Sequence, residues 1–181
     1  MGLKNRIFPD NIYFLTMTVV DWVDVFTRPG YRHIIVDALR YCQQHKGLEL
    51  YAWCLMSNHL HLIAGASEDK NLSDILRDFK RHTSRAITTA VQRDPESRRQ
   101  WMLHRFSYNA RVNVKSETYK FWQDGNEAKE LQSVEFTMQK LHYLHQNPVR
   151  AELVAEAEHY VYSSASNYAE QGGLLEVLFL G

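Results

Sequence analysis

Leu48 to Met56, then Ser57-Asn58, then His59-Leu60-His61-Leu62-Ile63-Ala64 read as strand, turn and strand. The first run is rich in aromatic and aliphatic residues, and Ser57-Asn58 supplies turn chemistry between two apolar stretches. A hairpin is therefore expected here, with a register set by the apolar residues that must face the core. Side chains alternate along a strand, so His59 and His61 share one face while Leu60 points to the other. Two imidazoles held side by side on a rigid strand can form two legs of a divalent metal site. They read equally as two half-exposed histidines on a sheet face, because a pair alone lacks the ligand count of a complete site.

Working outward, Asn11 to Val20 reads as an earlier strand, with Tyr13, Leu15, Met17 and Val19 on one face and Phe14, Thr16 and Thr18 on the other. Pro29-Gly30 opens a helix to about Lys46, with Ile34, Ile35, Ala38, Leu39 and Cys42 at helical spacing, and Gly47 stops it. Leu72 to about Val91 is a second helix, with Leu72, Ile75, Leu76, Phe79, Ala86, Ile87 and Ala90 as its apolar stripe. The polar stretch from Arg93 to Lys115 reads as a partly helical insertion. Tyr119 to Trp122 is expected as a short fourth strand, and Val134 to His145 as a third helix closed by Asn147-Pro148. The order β-α-β-β-α-insertion-β-α predicts an α+β fold of the ferredoxin-like, split-βαβ kind. Its antiparallel sheet would have helices packed on one face and the insertion before the last strand. One domain is expected over residues 1–170, interrupted by the 92–118 insertion, with 171–181 as a C-terminal tail.

Composition narrows the class. The 181 residues are 45% hydrophobic and 23% charged, and Lys+Arg and Asp+Glu both count 21. Nucleic-acid binding would thus need a local patch of positive charge. Two cysteines, Cys42 and Cys54, with no paired spacing, fit a reducing, cytoplasmic setting better than a disulfide scaffold. No run approaches the ~18 apolar residues of a membrane span, and the polar start carries no signal-like stretch.

The second chemical feature is Tyr143-Leu144-His145-Gln146-Asn147-Pro148. Tyr143 and Asn147 lie one helical turn apart on one face. Asn147 before Pro148 is also a common helix stop, and a tyrosine here is often simply part of the core. As a nucleophile, tyrosine is weak at neutral pH, since its ordinary pKa is near 10. A phosphodiester target must have its charge neutralised, which a histidine-bound divalent ion beside the tyrosine can do. A covalent phosphotyrosine would then conserve the bond for rejoining.

Ser57-Asn58-His59-Leu60-His61-Leu62-Ile63 resembles the His-hydrophobic-His motif of HUH endonucleases. More narrowly, the chain resembles the single-tyrosine transposases of small insertion sequences, and among these the REP-associated tyrosine transposases, with their Tyr-x-x-x-Asn-Pro-Val motif. Tyr143 to Arg150 matches that motif, Val161-Tyr162-Ser163-Ser164-Ala165 is similar to a following Tyr-Ser-Ser block, and Phe121-Trp122-Gln123 to a Trp-containing strand before the tyrosine helix. The resemblance implies that Tyr143 is the nucleophile, leaving a 5′-phosphotyrosine and a free 3′-hydroxyl. It implies that His59, His61 and Asn147 hold Mg²⁺ or Mn²⁺, an amide oxygen suiting a hard cation. It also implies a single-stranded DNA hairpin as partner and leaves room for a homodimer. One departure is Asn126-Glu127-Ala128, where relatives often carry a histidine; Glu127 there would be either an acidic neighbour of the metal or a sign of altered activity.

Lys80, Arg81 and Arg85 share the polar side of the second helix, either as a solvated face or as a phosphate-contacting stripe. Lys4, Arg6 and the insertion's arginines could extend that stripe, and Arg150, just after the tyrosine helix, could reach a phosphate near the site; Trp101, Phe106 and Tyr108 could stack on unpaired bases or equally pack the insertion onto the core. The leading reading is a metal-dependent, tyrosine-nucleophile DNA transesterase. The alternatives are a domesticated hairpin-DNA binder without cleavage and a metal hydrolase that uses water.

Overall fold

The computed structural model describes residues 7–8, 11–112 and 118–180. Lys4, Arg6 and Lys115 lie outside them. Strand β1 (Tyr13–Thr18) leads to helix α1 (Pro29–Lys46), then strands β2 (Leu48–Leu55) and β3 (His59–Ala66) and helix α2 (Leu72–Arg93). The insertion supplies α3 (Arg99–Val112), followed by strand β4 (Lys129–Glu130), helix α4 (Val134–Arg150) and the short α5 (Ala165–Tyr168). The antiparallel sheet has the order β2-β3-β1-β4. The expected α+β, ferredoxin-like arrangement is what the chain adopts.

Local chemistry explains the element ends. Pro29 sits in the first turn of α1, where its missing N–H costs nothing, and Gly47 ends the helix in the left-handed region at φ 76°. Asn71 caps α2 by accepting from the backbone N–H groups of Ser73 and Asp74, and Ser133 caps α4 by accepting from Phe136 N–H. Helix α4 does not stop before Pro148 as the sequence suggested. It continues to Arg150 because Asn147 Nδ2 donates to Tyr143 O at 2.9 Å and reaches Leu144 O at 3.5 Å. The side chain thereby serves the carbonyl that a proline cannot serve.

Two apolar layers cover the two faces of the sheet. Leu15, Met17, Leu60 and Leu62 join Ile35, Leu39, Ile75, Phe79 and Ile87 of α1 and α2. On the opposite face Phe14, Ala52, Cys54 and Ile63 join Leu141 and Leu144 of α4. One detail of the expected packing therefore differs: α1 and α2 share a face, while α4 covers the other. The reason is pleat alternation, since Phe14 and Ile63 are as apolar as their neighbours and need their own cover. Leu144 is fully buried in that second layer. Leu144→Ala should lower unfolding free energy by about 2–5 kcal/mol, read by denaturant unfolding. A loss below about 1 kcal/mol would mean that this side chain does not anchor the helix.

The fourth strand also differs. Phe121 and Trp122 are both buried, in a cluster with Phe26, Phe79 and Phe106, so successive side chains do not alternate. The segment makes only a bridge to Val19 through Trp122, and Lys129–Glu130 pairs with Tyr13 and Phe14 instead. The open edge of β2 is covered by the Tyr-Ser-Ser block: Leu55 N–H donates to Tyr162 O, and Ser164 N–H to Trp53 O, both at 2.9 Å. The tail follows, with Leu175 buried and Leu178 N–H donating to Leu50 O.

Candidate active site

The sheet register brings Thr16 opposite His61 and Thr18 opposite His59. These four side chains share the α4 face with Phe14. The imidazole rings of His59 and His61 lie with centroids 4.7 Å apart. His61 is buried and stacks on Phe14 at 5.3 Å, whereas His59 is half-buried at the strand end.

Hydrogen bonds fix the first ring. Asn58 Nδ2 donates to Asp24 Oδ1 at 3.1 Å and to Trp22 O at 3.3 Å, both of which can only accept. The amide orientation is thereby set, and Asn58 Oδ1 must face His59 Nδ1, 2.7 Å away. His59 Nδ1 therefore carries the proton in the neutral ring, leaving the Nε2 lone pair for a ligand. Ser57 Oγ donates to the same Asp24 oxygen at 2.6 Å, which completes a chain from Asp24 through Asn58 to His59. The His61 ring has its own anchor, with Nδ1 2.9 Å from Thr16 Oγ1.

Burial favours the neutral form of both rings, the form that ligates metals. Burial is the first cause at His61, reinforced by the neighbouring His59 and by Lys140, and its pKa falls to about 3. Burial also lowers that of His59, opposed by the Asp24 carboxylate.

Helix α4 brings Tyr143 over this face. Its ring meets His61 edge-on at 5.7 Å and Phe14 at 6.0 Å, and 36% of the residue stays exposed. Two cations flank it: Arg150 Cζ lies 5.2 Å and Lys140 Nζ 5.5 Å from the ring centroid. The Asn147 amide, with Nδ2 engaged by backbone carbonyls, keeps Oδ1 as an acceptor with no hydrogen-bond partner among the described residues. One chain thus joins the two motifs that lie far apart in sequence. Its chemistry suits a hard divalent ion only in part: two neutral imidazoles and one amide oxygen are available. Among the described residues no group of three or more His, Cys, Asp or Glu could hold a metal. Glu127 is accordingly not brought in as an acidic ligand, and the remaining positions would fall to water and substrate oxygen.

The stripe on α2 has other engagements. Lys80 Nζ donates to Gln123 O (2.9 Å), Gly125 O (2.8 Å) and Asn126 Oδ1 (3.2 Å), tying down the loop that precedes β4. Arg81 donates to Asp78 at 2.9 Å. With Arg85 they line an open groove of about 670 Å³ against Tyr119, Lys120 and Trp122, on the α2 side of the sheet, away from the histidines. Of the candidate basic residues among those described, only Arg150 reaches Tyr143. Phe106 is buried against Phe121, whereas Trp101 and Tyr108 are exposed. Sequence reasoning missed Lys140, one turn before Tyr143, although its helical spacing was there to be read. It also missed Asn58, Thr16 and Phe14, whose relation to the histidines depends on strand register.

The profile of the family described as Transposase IS200 like matches residues 12–147, a span from the start of β1 that takes in both histidines, Tyr143 and Asn147. The chain belongs to the IS200-like transposase family. Its fold is similar to that of a solved REP-associated tyrosine transposase bound to a REP hairpin. The two are 17% identical with a TM-score of 0.63, over 100% of this chain and 92% of that one. A 1.90 Å crystal structure of a candidate transposase from Deinococcus radiodurans R1 is 19% identical over 81% of this chain and 97% of that one, with a TM-score of 0.42. No curated protein sequence matches. In this IS200-like chain no helix among the described residues is long and apolar enough to cross a membrane.

Proposed function

We propose that this chain is a metal-dependent transesterase of single-stranded DNA that recognises a hairpin, cuts beside it and rejoins through a 5′-phosphotyrosine. The observation that carries the proposal is the contact of Tyr143 with His61 inside one chain. It supports a nucleophile and a histidine pair working in cis, with no second copy needed to bring them together. The solved relative's hairpin ligand supports the choice of DNA.

In the reaction Tyr143 Oη forms a bond to the scissile phosphorus and the P–O3′ bond breaks. The phenolic proton passes to solvent and the departing 3′ oxygen takes one up. In rejoining, a 3′-hydroxyl attacks the phosphotyrosine and returns the phenol. Phe14 and His61 hold the Tyr143 ring from its edge. Lys140 and Arg150 place positive charge beside the phenol and the approaching phosphate. Mg²⁺ or Mn²⁺ would be held by His59, His61 and Asn147 and would supply the charge that polarises the scissile phosphate.

Labelled hairpins from DNA flanking the gene, incubated with protein and Mn²⁺, should yield a denaturation-resistant adduct that a chelator prevents. Hairpin binding with no adduct, on DNA that contains the cleavage site, would favour a binder without cleavage. The Asp24–Asn58–His59 chain predicts a second result. Asn58→Ala should weaken Mn²⁺ binding by about 10–100-fold while thermal unfolding stays two-state. Unchanged Mn²⁺ titration would remove Asn58 from the site.

A further inference from the structure

The turn that follows β1 is strained in a way its sequence does not require. Asp21 and Trp22 both occupy the left-handed backbone region, at φ 53° and 51°. Aspartate tolerates this region, but a residue as bulky as Trp22 there is an outlier that its surroundings must impose. The restraints come from two sides. Asn109 Nδ2 donates to Asp21 Oδ2 at 3.0 Å, and Arg105 lies 3.7 Å from the same oxygen, both from α3. Asn58 Nδ2 donates to Trp22 O. Arg98 adds a bond to Asp24 O at 2.9 Å. The insertion helix thus grips the turn from one side, and the residue that orients His59 grips it from the other.

The turn presents an aromatic side chain to solvent. Trp22 is 65% exposed, against 49% for Trp101, while Trp53 and Trp122 are buried. No ring or cation stacks on it among the described residues. Its place follows from the register: along β1, Thr16 lies opposite His61, Thr18 opposite His59, and Trp22 comes just beyond. Asn58, the residue before His59, donates to Trp22 O, so the turn adjoins the end of β3 that carries His59. The turn around it is polar, with Asp21 before it and the Asn58 amide on its carbonyl.

We propose that Trp22 is a stacking platform for an unpaired base of the strand that leaves the histidine pair. This rests on the single-stranded DNA reading above. A flat indole fits any base face, which suits a strand that must be held in place without its sequence being read. Arg105 stands against the neighbouring Asp21 carboxylate and steadies the turn. The turn that carries the ring is held at Trp22 O by Asn58 and at Asp21 by α3, which acts as its brace. On this view the insertion acts at the site by setting the platform's position relative to His59.

The test uses the full chain with two probes, oligodeoxythymidylate and a blunt hairpin with no single-stranded flank. Trp22→Ala should weaken oligodeoxythymidylate binding by roughly 5- to 100-fold. Trp22→Phe should recover most of that loss, Trp101→Ala should change little, and blunt-hairpin affinity should be the same in all. Oligodeoxythymidylate should also quench indole fluorescence in the wild type, and Trp22→Phe should remove that quench. The quench keeps the idea testable if the alanine variant fails to fold. Equal oligodeoxythymidylate binding by wild type and Trp22→Ala, a quench that survives in Trp22→Phe, or wild-type binding to the hairpin alone would overturn the platform and leave the DNA reading intact. Wild-type binding to neither probe would overturn both.

Discussion

Tyr143→Phe should abolish the covalent protein–DNA adduct, by at least about 10³-fold, and leave hairpin affinity within about 0.5 kcal/mol. The change removes one oxygen and keeps the ring. The edge-on contacts with His61 and Phe14 are contacts of the ring, as are those of Arg150 and Lys140. None of them needs the hydroxyl, and the Tyr143 hydroxyl makes no hydrogen bond within the described residues. The substitution therefore tests nucleophilicity with little structural disturbance. The measurement is gel separation under denaturing conditions, with binding followed in parallel by anisotropy. An adduct of normal yield in the phenylalanine variant would assign the nucleophile to another residue. Lys140→Met would be a natural companion, since it removes one of the two charges beside the same ring.

Much of this site could be read from the chain because its parts are local. The two-residue alternation of His59 and His61 needs only a strand, and Tyr143 and Asn147 need only a helix. The helix starts at Pro29, Asn71 and Ser133 also lie in short-range chemistry. What escaped depends on partners far along the chain. Lys80 looked free because its acceptors, Gln123 O and Gly125 O, come from a loop more than forty residues away. The fourth strand was placed on Tyr119 to Trp122 because aromatic residues favour strands. Packing of both Phe121 and Trp122 into one cluster overrode that propensity. Helix α4 outran Pro148 because a side-chain amide took over a backbone duty. The face covered by α4 was set by Phe14 and Ile63, apolar residues that alternation alone assigns to an outer side.

His59→Ala should remove metal-dependent cleavage, by at least about 100-fold, and should do so more cleanly than His61→Ala. The two rings sit in different settings. His61 is buried between Phe14 and Tyr143, so its truncation would open a cavity and loosen the tyrosine as well as remove a ligand. His59 is half-buried at the strand end, held through Nδ1 by Asn58, and its loss leaves the Phe14–His61–Tyr143 stack standing. A fall in cleavage in His59→Ala with unchanged unfolding therefore reports on the ring itself. The two-histidine reading makes a further demand: with one imidazole gone, Mn²⁺ titration should weaken along with cleavage, and raising Mn²⁺ should restore part of the activity. Cleavage that falls while Mn²⁺ affinity stays at the wild-type value would place His59 in the reaction by some route other than metal binding. Normal cleavage at wild-type Mn²⁺ would remove it from the site. In that case the neutrality that burial confers on these rings, and the Asp24–Asn58 chain that points a lone pair outward, would need another purpose.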